Sequence, residues 1–473
     1  MSLNKQHSKW LVLPIILTAP LLYVIDIFII NMTIPIIKQH LNATQSDVQL
    51  MIAGYLMGSA SFLIIGGRAG DFLGRKKIFF WGMFYFTLTS CFCGFAQSAG
   101  QLNIARFFQG ISSAFMVTQS IALIQELFPK PHERAKAIGW YGITLSIAAI
   151  IGQILGGYLA EINFFVSGWR LIFLINVPIG LISMFAIQKY VTETPKQKTG
   201  KFDYTGAIML TIGLGSFIYA ITEGREQNWP LWSLYLGILG LVVLFLFFRH
   251  QKIQSFKNLQ PLMDIRIFRY WEFTIGLLAV LFHFMFHTAY LLMSAVYLQD
   301  GLGISALTCG IYFIPHALLF MISSFIASKM LTKFGKNILL MGLFIILTSF
   351  LLQIKLTDSQ NGPLASMLLI ALYGLGNGLI LPFLLNIVLD NIPTEYAGIS
   401  SGIFSTFQQI ASALGISIIG GIFYDTIKNN NTATYKHAFD NGLIAGIICL
   451  IIVAVMLCLL PKTANKSIAI PSE

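Results

Sequence analysis

The sequence predicts an all-α polytopic membrane protein with fourteen spans, and three observations carry that prediction. Charged residues fill 10% of the 473 positions and apolar residues 56%, whereas a soluble globular chain carries about 25% charged residues. The mean hydropathy is +0.76, and the apolar residues gather into runs of roughly 20, the length at which a helix crosses ~30 Å of hydrocarbon. Strand alternation is absent, and a bilayer core satisfies no backbone polar group, so the spans are expected to be helices. A water-soluble globular protein is excluded.

In chain order the runs centre near Leu22, Met57, Phe86, Phe115, Ile151, Ile179 and Ile212, then Gly240, Phe282, Leu319, Ile345, Tyr373, Ile410 and Ile452. The first begins at Trp10 behind Lys5 and Lys9. It is too long for the apolar region of a secretory signal and lacks an A-x-A-like cleavage site, so it is expected to be a retained span. No soluble domain is expected before or after the membrane block. The net charge of +11 invites a nucleic-acid reading, but the 30 Lys and Arg follow topology instead. With the N-terminus in the cytoplasm, the inside segments hold 23 of them and the outside loops five, while Arg106 and Arg170 fall in or beside spans. That bias places both termini in the cytoplasm and makes the bilayer, not nucleic acid, the partner. One segment dissents: Asp390 to Glu395 should be inside yet has no basic residue. The five cysteines lie in or beside apolar runs without C-x-x-C or zinc-ligand spacing, which suits small buried apolar residues.

The chain is internally duplicated. ERAKAIGWYGITLSIAAIIGQILGGYL, from Glu133, pairs with EYAGISSGIFSTFQQIASALGISIIGGIF, from Glu395. Each starts with Glu-x-Ala after a proline-containing loop and ends on paired glycines, Gly156-Gly157 and Gly420-Gly421. Spans one to six therefore match spans nine to fourteen. The expected organisation is residues 1–190 as one six-helix half, 191–250 as a connector with spans seven and eight, and 251–473 as an interfacial linker followed by the second half.

The loop GGRAGDFLGRKKIFF, Gly66 to Phe80, puts four basic residues, an aspartate and four glycines between two apolar runs. It is not a phosphate loop, since G-x-x-x-x-G-K-[ST] is absent here and elsewhere in the chain. A purely topogenic loop accounts for the cations but not for Asp71 or the spacing of Gly67, Gly70 and Gly74. The fuller reading is a latch, in which glycines allow close helix approach while Asp71 and Arg75 form charge-assisted bonds that hold one arrangement and release in another. A weaker copy, SKMLTKFGKN, follows the tenth span, with Gly335-Lys336 aligned to Gly74-Arg75.

This loop resembles the G-x-L-a-D-r-x-G-r-k signature of the major facilitator superfamily, met at Gly67, Asp71, Gly74, Arg75 and Lys76, with Ala69 and Phe72 as departures. IDIFIINMTIPII, with Asp26, Asn31 and Pro35, is similar to the first-span motif of its fourteen-helix drug:proton antiporter branch. LNIARFFQG resembles the fourth-span motif through Arg106, Gln109 and Gly110. WRLIFLINVPIG from Trp169, FDYTG from Phe202 and YLQDGLGISALTCG from Tyr297 resemble segments of the same branch. The fifth-span antiporter motif is met at Gly152, Gly156 and Gly157, but Ala148 replaces its first glycine and Gln153 its proline. The resemblance implies two six-helix halves with two extra spans between them, alternating access, and no cofactor.

Among 19 acids only Asp26 sits in the middle of a span, and Arg106 is the one mid-span arginine. An ionisable group at membrane depth is costly and marks a functional candidate. By resemblance, the two positions couple transport to protons. His283 and His287 lie four apart on one face of the ninth span, and His316 follows Pro315 in the tenth. They are candidate cavity groups along with Asn31, Gln109 and Gln153; proton relay and a transition-metal site are the other readings for the histidines, although no sulfur or carboxylate lies near them in sequence. Phe282, Phe284 and Phe286 flank that face and are expected to meet lipid or neighbouring helices.

The function expected is proton-coupled efflux of lipophilic drugs or toxic compounds across the inner membrane of a bacterium, by a monomer whose partners are a small-molecule substrate and protons. The alternative is a dedicated exporter of an endogenous metabolite such as a siderophore. A membrane-embedded enzyme is the alternative of a different class, but no nucleophile, base and oxyanion-donor set and no metal motif is visible.

Overall fold

The computed structural model describes residues 5–162, 167–193, 203–257, 259, 261–357, 362–389, 397–427 and 432–460. Among the described residues, fourteen helices are long and apolar enough to cross a membrane. They are α1 (Lys9–Asn31), α2 (Gln45–Gly70), α3 (Arg75–Phe95), α4 (Ala99–Leu127), α5 (Lys136–Glu161), α6 (Gly168–Tyr190) and α7 (Tyr204–Arg225). Then come α8 (Leu231–Phe256), α9 (Trp271–Gly301), α10 (Ala306–Ala327), α11 (Asn337–Leu356), α12 (Leu364–Leu381), α13 (Gly402–Thr426) and α14 (Thr434–Leu459). Each contains the centre expected from its apolar run, and the described residues contain no strand.

Local chemistry sets the breaks. α1 stops at Asn31, and a short helix, Ile34–His40, restarts with proline in its first turn, where the missing N–H costs nothing. Thr44 and Asp47 form a capping box that opens α2, with the Asp47 N–H donating to Thr44 Oγ1 at 3.1 Å. Between α2 and α3 the chain turns at Gly74, whose φ of +102° suits a residue without a side chain.

The halves α1–α6 and α9–α14 meet along two seams, α2 on α13 and α5 on the start of α10. α7 lies against both α2 and α13, and α8 packs on α7. Because consecutive spans alternate in direction, the loops after even-numbered helices share one end of the bundle. That end, with Lys9, Arg75, Lys136 and Lys336, is called the basic end here, and the opposite one the far end.

The duplicated loops repeat a physical device at the basic end. Lys76 Nζ donates to the Gln188 carbonyl at 2.9 Å, near the end of α6, and Lys336 Nζ donates to the Leu457 and Cys458 carbonyls at 3.0 Å, at the end of α14. Each cation meets the carbonyl end of the last helix in its own half. Gly335 turns with φ +52°, matching the positive φ of Gly74.

The segment after α8 is docked onto the start of α7 through Asp203 and Gln251. Buried Gln251 donates to Asp203 Oδ2 at 2.6 Å and accepts the Met263 N–H at 3.0 Å. His250 Nε2 stands 2.9 Å from Asp203 Oδ1, and the Gly206 N–H donates to the same oxygen at 2.8 Å. Burial pushes the Asp203 carboxyl up, but these bonds outweigh it and hold the group below the usual carboxylate range.

Candidate functional site

Asp26 lies inside the α1–α6 half, where α4 and α6 deliver polar groups to one carboxylate. Glycines on α5 set its orientation. A Cβ on Gly152 would stand 3.0 Å from the Ile25 carbonyl, and one on Gly156 would overlap the Ile29 carbonyl, so α5 presses against α1 on the residues flanking Asp26. The carboxylate turns away from α5 towards α4. Arg106 Nη1 donates to Asp26 Oδ2, and both side chains are buried. Gln109 Nε2 donates to Asp26 Oδ1 at 3.0 Å, and Asn176 Nδ2 of α6 donates to the same oxygen at 3.2 Å.

A second ring of contacts holds these donors. Arg106 Nη1 also donates to Gln109 Oε1 at 2.8 Å, Nε donates to the Met51 carbonyl at 3.3 Å, and the guanidinium lies over the Tyr55 ring at 4.2 Å. Ser90 of α3 accepts from Gln109 Nε2 at 3.1 Å and from Asn176 Nδ2 at 3.0 Å, and donates to the Phe173 carbonyl at 2.9 Å. A buried charge pair is tolerable only when its remaining lone pairs and protons find partners, and this network supplies them.

The structure therefore brings Asp26, Arg106 and Gln109 together and leaves Asn31 apart: buried where α1 ends, it is not among the groups bonded to the carboxylate. Asn176, Ser90 and Tyr55 were missed by sequence reasoning. Asn176 had a usable signal, since it is the one side-chain amide in WRLIFLINVPIG. Ser90 and Tyr55 had none, because serine and tyrosine are ordinary inside membrane helices.

The second half builds a polar centre on helices matching α1 and α4. His283 Nε2 of α9 lies 3.0 Å from Asn377 Oδ1 of α12, and His287 Nδ1 lies 2.6 Å from Tyr373 Oη. The His316 ring is nearly parallel to Tyr373, with centroids 5.7 Å apart, and neither of its buried nitrogens has a hydrogen-bond partner among the described residues. Phe284 and Phe286 are buried among helices, Phe286 edge-on to Phe350. Gln153 is buried at the seam, its Oε1 without a partner among the described residues, where a Cβ on Gly310 of α10 would stand 2.6 Å from the Gln153 carbonyl. No three His, Cys, Asp or Glu side chains converge as metal ligands among the described residues.

At the loop signature, Arg75 Nη1 donates to the Ala122 carbonyl at 2.7 Å and pairs with Glu126 at 3.3 Å, both at the end of α4. Glu193, missed in the sequence, accepts the Lys76 and Lys77 N–H groups at 3.1 and 3.2 Å and so caps α3. A Cβ on Gly67 would meet open space, whereas one on Gly70 would overlap the Gln119 amide and one on Gly66 would stand 2.8 Å from the Ala114 carbonyl. Close approach thus falls to Gly66 and Gly70. The Asp71 side chain and the Asp390 to Glu395 segment lie outside the described residues.

The sequence profile of the Major Facilitator Superfamily matches residues 16–416. A probable actinorhodin transporter of Streptomyces coelicolor is 31% identical over 430 residues, 90% of this chain and 74% of that protein. The multidrug resistance protein Stp of Mycobacterium tuberculosis is 27% identical over 405 residues, 84% of this chain and 73% of its own length. Among solved structures, a D-xylose-proton symporter has the same fold, with a TM-score of 0.68 at 15% identity, covering 98% of this chain and 100% of that one.

Proposed function

Because the chain belongs to the Major Facilitator Superfamily, we propose that it exports lipophilic small molecules in exchange for protons, with Asp26 and Arg106 as the coupling pair. The protein is a transporter and a multi-pass protein of the bacterial inner membrane. The observation that carries the coupling proposal is the fully buried Asp26 carboxylate, bonded at once by Arg106, Gln109 and Asn176.

A proton taken up by Asp26 cancels the charge that Arg106 answers. The guanidinium then keeps Met51, Gln109 and the Tyr55 face but loses its ionic partner, while Gln109 and Asn176 face a carboxyl in place of a carboxylate. The two protonation states thus favour different packings of α1 against α4 and α6, which is what a proton needs if it is to shift a conformational equilibrium. Since α1 also meets the other half, where Gln409 of α13 donates to Tyr23 Oη, such a change reaches the seam.

The test is proton-gradient-driven uptake into inverted vesicles by wild type and Asp26→Asn. Uptake abolished in the variant, with substrate binding retained, supports the coupling role; wild-type rates remove it. A second reading is a dedicated exporter of one metabolite, and the relative named for a single compound, actinorhodin, favours it. Accumulation assays on a compound panel, with and without a protonophore, separate a broad from a single-compound profile.

A further inference from the structure

α7 and α8 stand between the two six-helix halves, and the proton exchange proposed above uses neither. α7 nonetheless lies along the seam where α2 of one half meets α13 of the other. Arg225, at its end, turns a guanidinium into that seam at the far end of the bundle. Nη2 donates to Gln49 Oε1 of α2 at 2.9 Å, and Nη1 donates to the Ser417 carbonyl of α13 at 3.3 Å. Nε stands 3.3 Å from Asp425 Oδ1, also on α13. Three residues back, Thr222 Oγ1 donates to Ser417 Oγ at 2.7 Å, with both residues buried.

The repeat shows how this seam differs from its counterpart. Gly421, the second of the paired glycines in α13, leaves room for the guanidinium: a Cβ there would overlap Arg225 Nη1. The matching glycine of α5, Gly157, receives backbone instead, since a Cβ there would overlap the Ala306 carbonyl and stand 2.8 Å from Leu307 Cα of α10. At these glycines the α5–α10 seam is thus built backbone to backbone, with the Leu307 N–H donating to Glu161 Oε1 at 2.9 Å beside it. The α2–α13 seam is bridged by polar bonds from a third helix. Bonds of that kind exchange for water as an end opens, whereas close packing can only lose its contacts.

We infer that Arg225 is a clasp through which α7 holds α2 and α13 together at the far end and sets the ratio of closed to open forms there. α7 is thereby a gating element of the transport cycle. The inference rests on transport by alternating access, and on neither the cargo nor the coupling ion proposed above.

The test uses spin labels on Gln45→Cys of α2 and Thr426→Cys of α13, with Cys91 and Cys458 replaced by serine. Distances are read by pulsed electron paramagnetic resonance on full-length protein in nanodiscs, without cargo or a proton gradient. Arg225→Gln is expected to raise the ratio of long to short distances by about tenfold, as the loss of charge-assisted bonds predicts. Gly421→Ala, which keeps every charge but fills the guanidinium's place, is expected to shift the ratio the same way. Asp425→Asn, at an aspartate whose side chain is 55% exposed, is expected to give a smaller shift. Should Arg225→Gln fail to fold, the other two variants carry the test. Distance distributions unchanged from wild type in the variants that fold overturn the clasp. A shifted ratio in a protein that shows no proton-driven transport leaves the clasp standing and removes only the coupling proposal.

Discussion

At Asp26 the chain places a fully buried carboxylate, and two substitutions separate its charge from its hydrogen-bonding role. Asp26→Asn keeps an oxygen for Arg106 and is expected to fold while losing proton-driven uptake in inverted vesicles. Both variants leave Arg106 without an ionic partner, but Asp26→Leu also removes the acceptor oxygen, and an uncompensated buried charge costs about 3–5 kcal/mol, so this variant is expected to lose more thermal stability than Asp26→Asn. Equal melting temperatures for the two variants would contradict the hydrogen bond that Arg106 makes to this position. Asn176 extends the argument to α6. Asn176→Ala removes a donor to a charged oxygen, worth about 1.5–3 kcal/mol, and is expected to lower proton-driven transport about tenfold with the fold intact. Unchanged transport would take Asn176 out of the site.

The helix ends make their own predictions. At the α2–α3 turn, a side chain on Gly74 must adopt a left-handed φ and would press on the Glu193 carboxylate that caps α3. Gly74→Val and Asp71→Asn are each expected to slow turnover about tenfold, a cost of about 1.4 kcal/mol, while direct binding of substrate changes little, because the loop governs conformational exchange and not the cavity. Affinity lost in step with turnover would refute a latch. At the start of α7, Asp203 ties in the segment after α8, and its carboxyl is held below the usual range. A depressed folded value means the dock is fully formed above the unfolded value, near 3.9, and weakens as pH falls through the folded one. Hydrogen exchange at the Met263 amide, which donates to Gln251, is therefore expected to stay slow at neutral pH and quicken in acid. Asp203→Asn should quicken it at neutral pH, and an exchange rate indifferent to both changes would count against this anchor.

For the molecule as a whole, charge limits the cargo. Asp26 is the acid at mid-span and is already answered by Arg106, and the second half's centre of His283, His287, Tyr373 and Asn377 carries no acid. Burying two positive charges without compensating acids is costly, so neutral, zwitterionic or monocationic lipophiles are expected to be exported in preference to dications. Matched monocationic and dicationic biocides, compared at one expression level, test this; robust dication export surviving removal of Asp300 and Asp390 would overturn it. The span count, the span centres, the duplication and the two charges at depth were legible in the sequence, because hydropathy, repeated motifs and isolated ionisable residues act over one helix or one loop. The Tyr55 face, Ser90 beneath two amides, Glu193 over the start of α3 and Arg225 in a seam between halves were decided by tertiary structure alone. In a bilayer nearly every span face is apolar, so the pattern of one helix does not tell which neighbour it meets. Only packing by small residues such as Gly66, Gly152 and Gly421 brings polar groups from distant helices within bonding range.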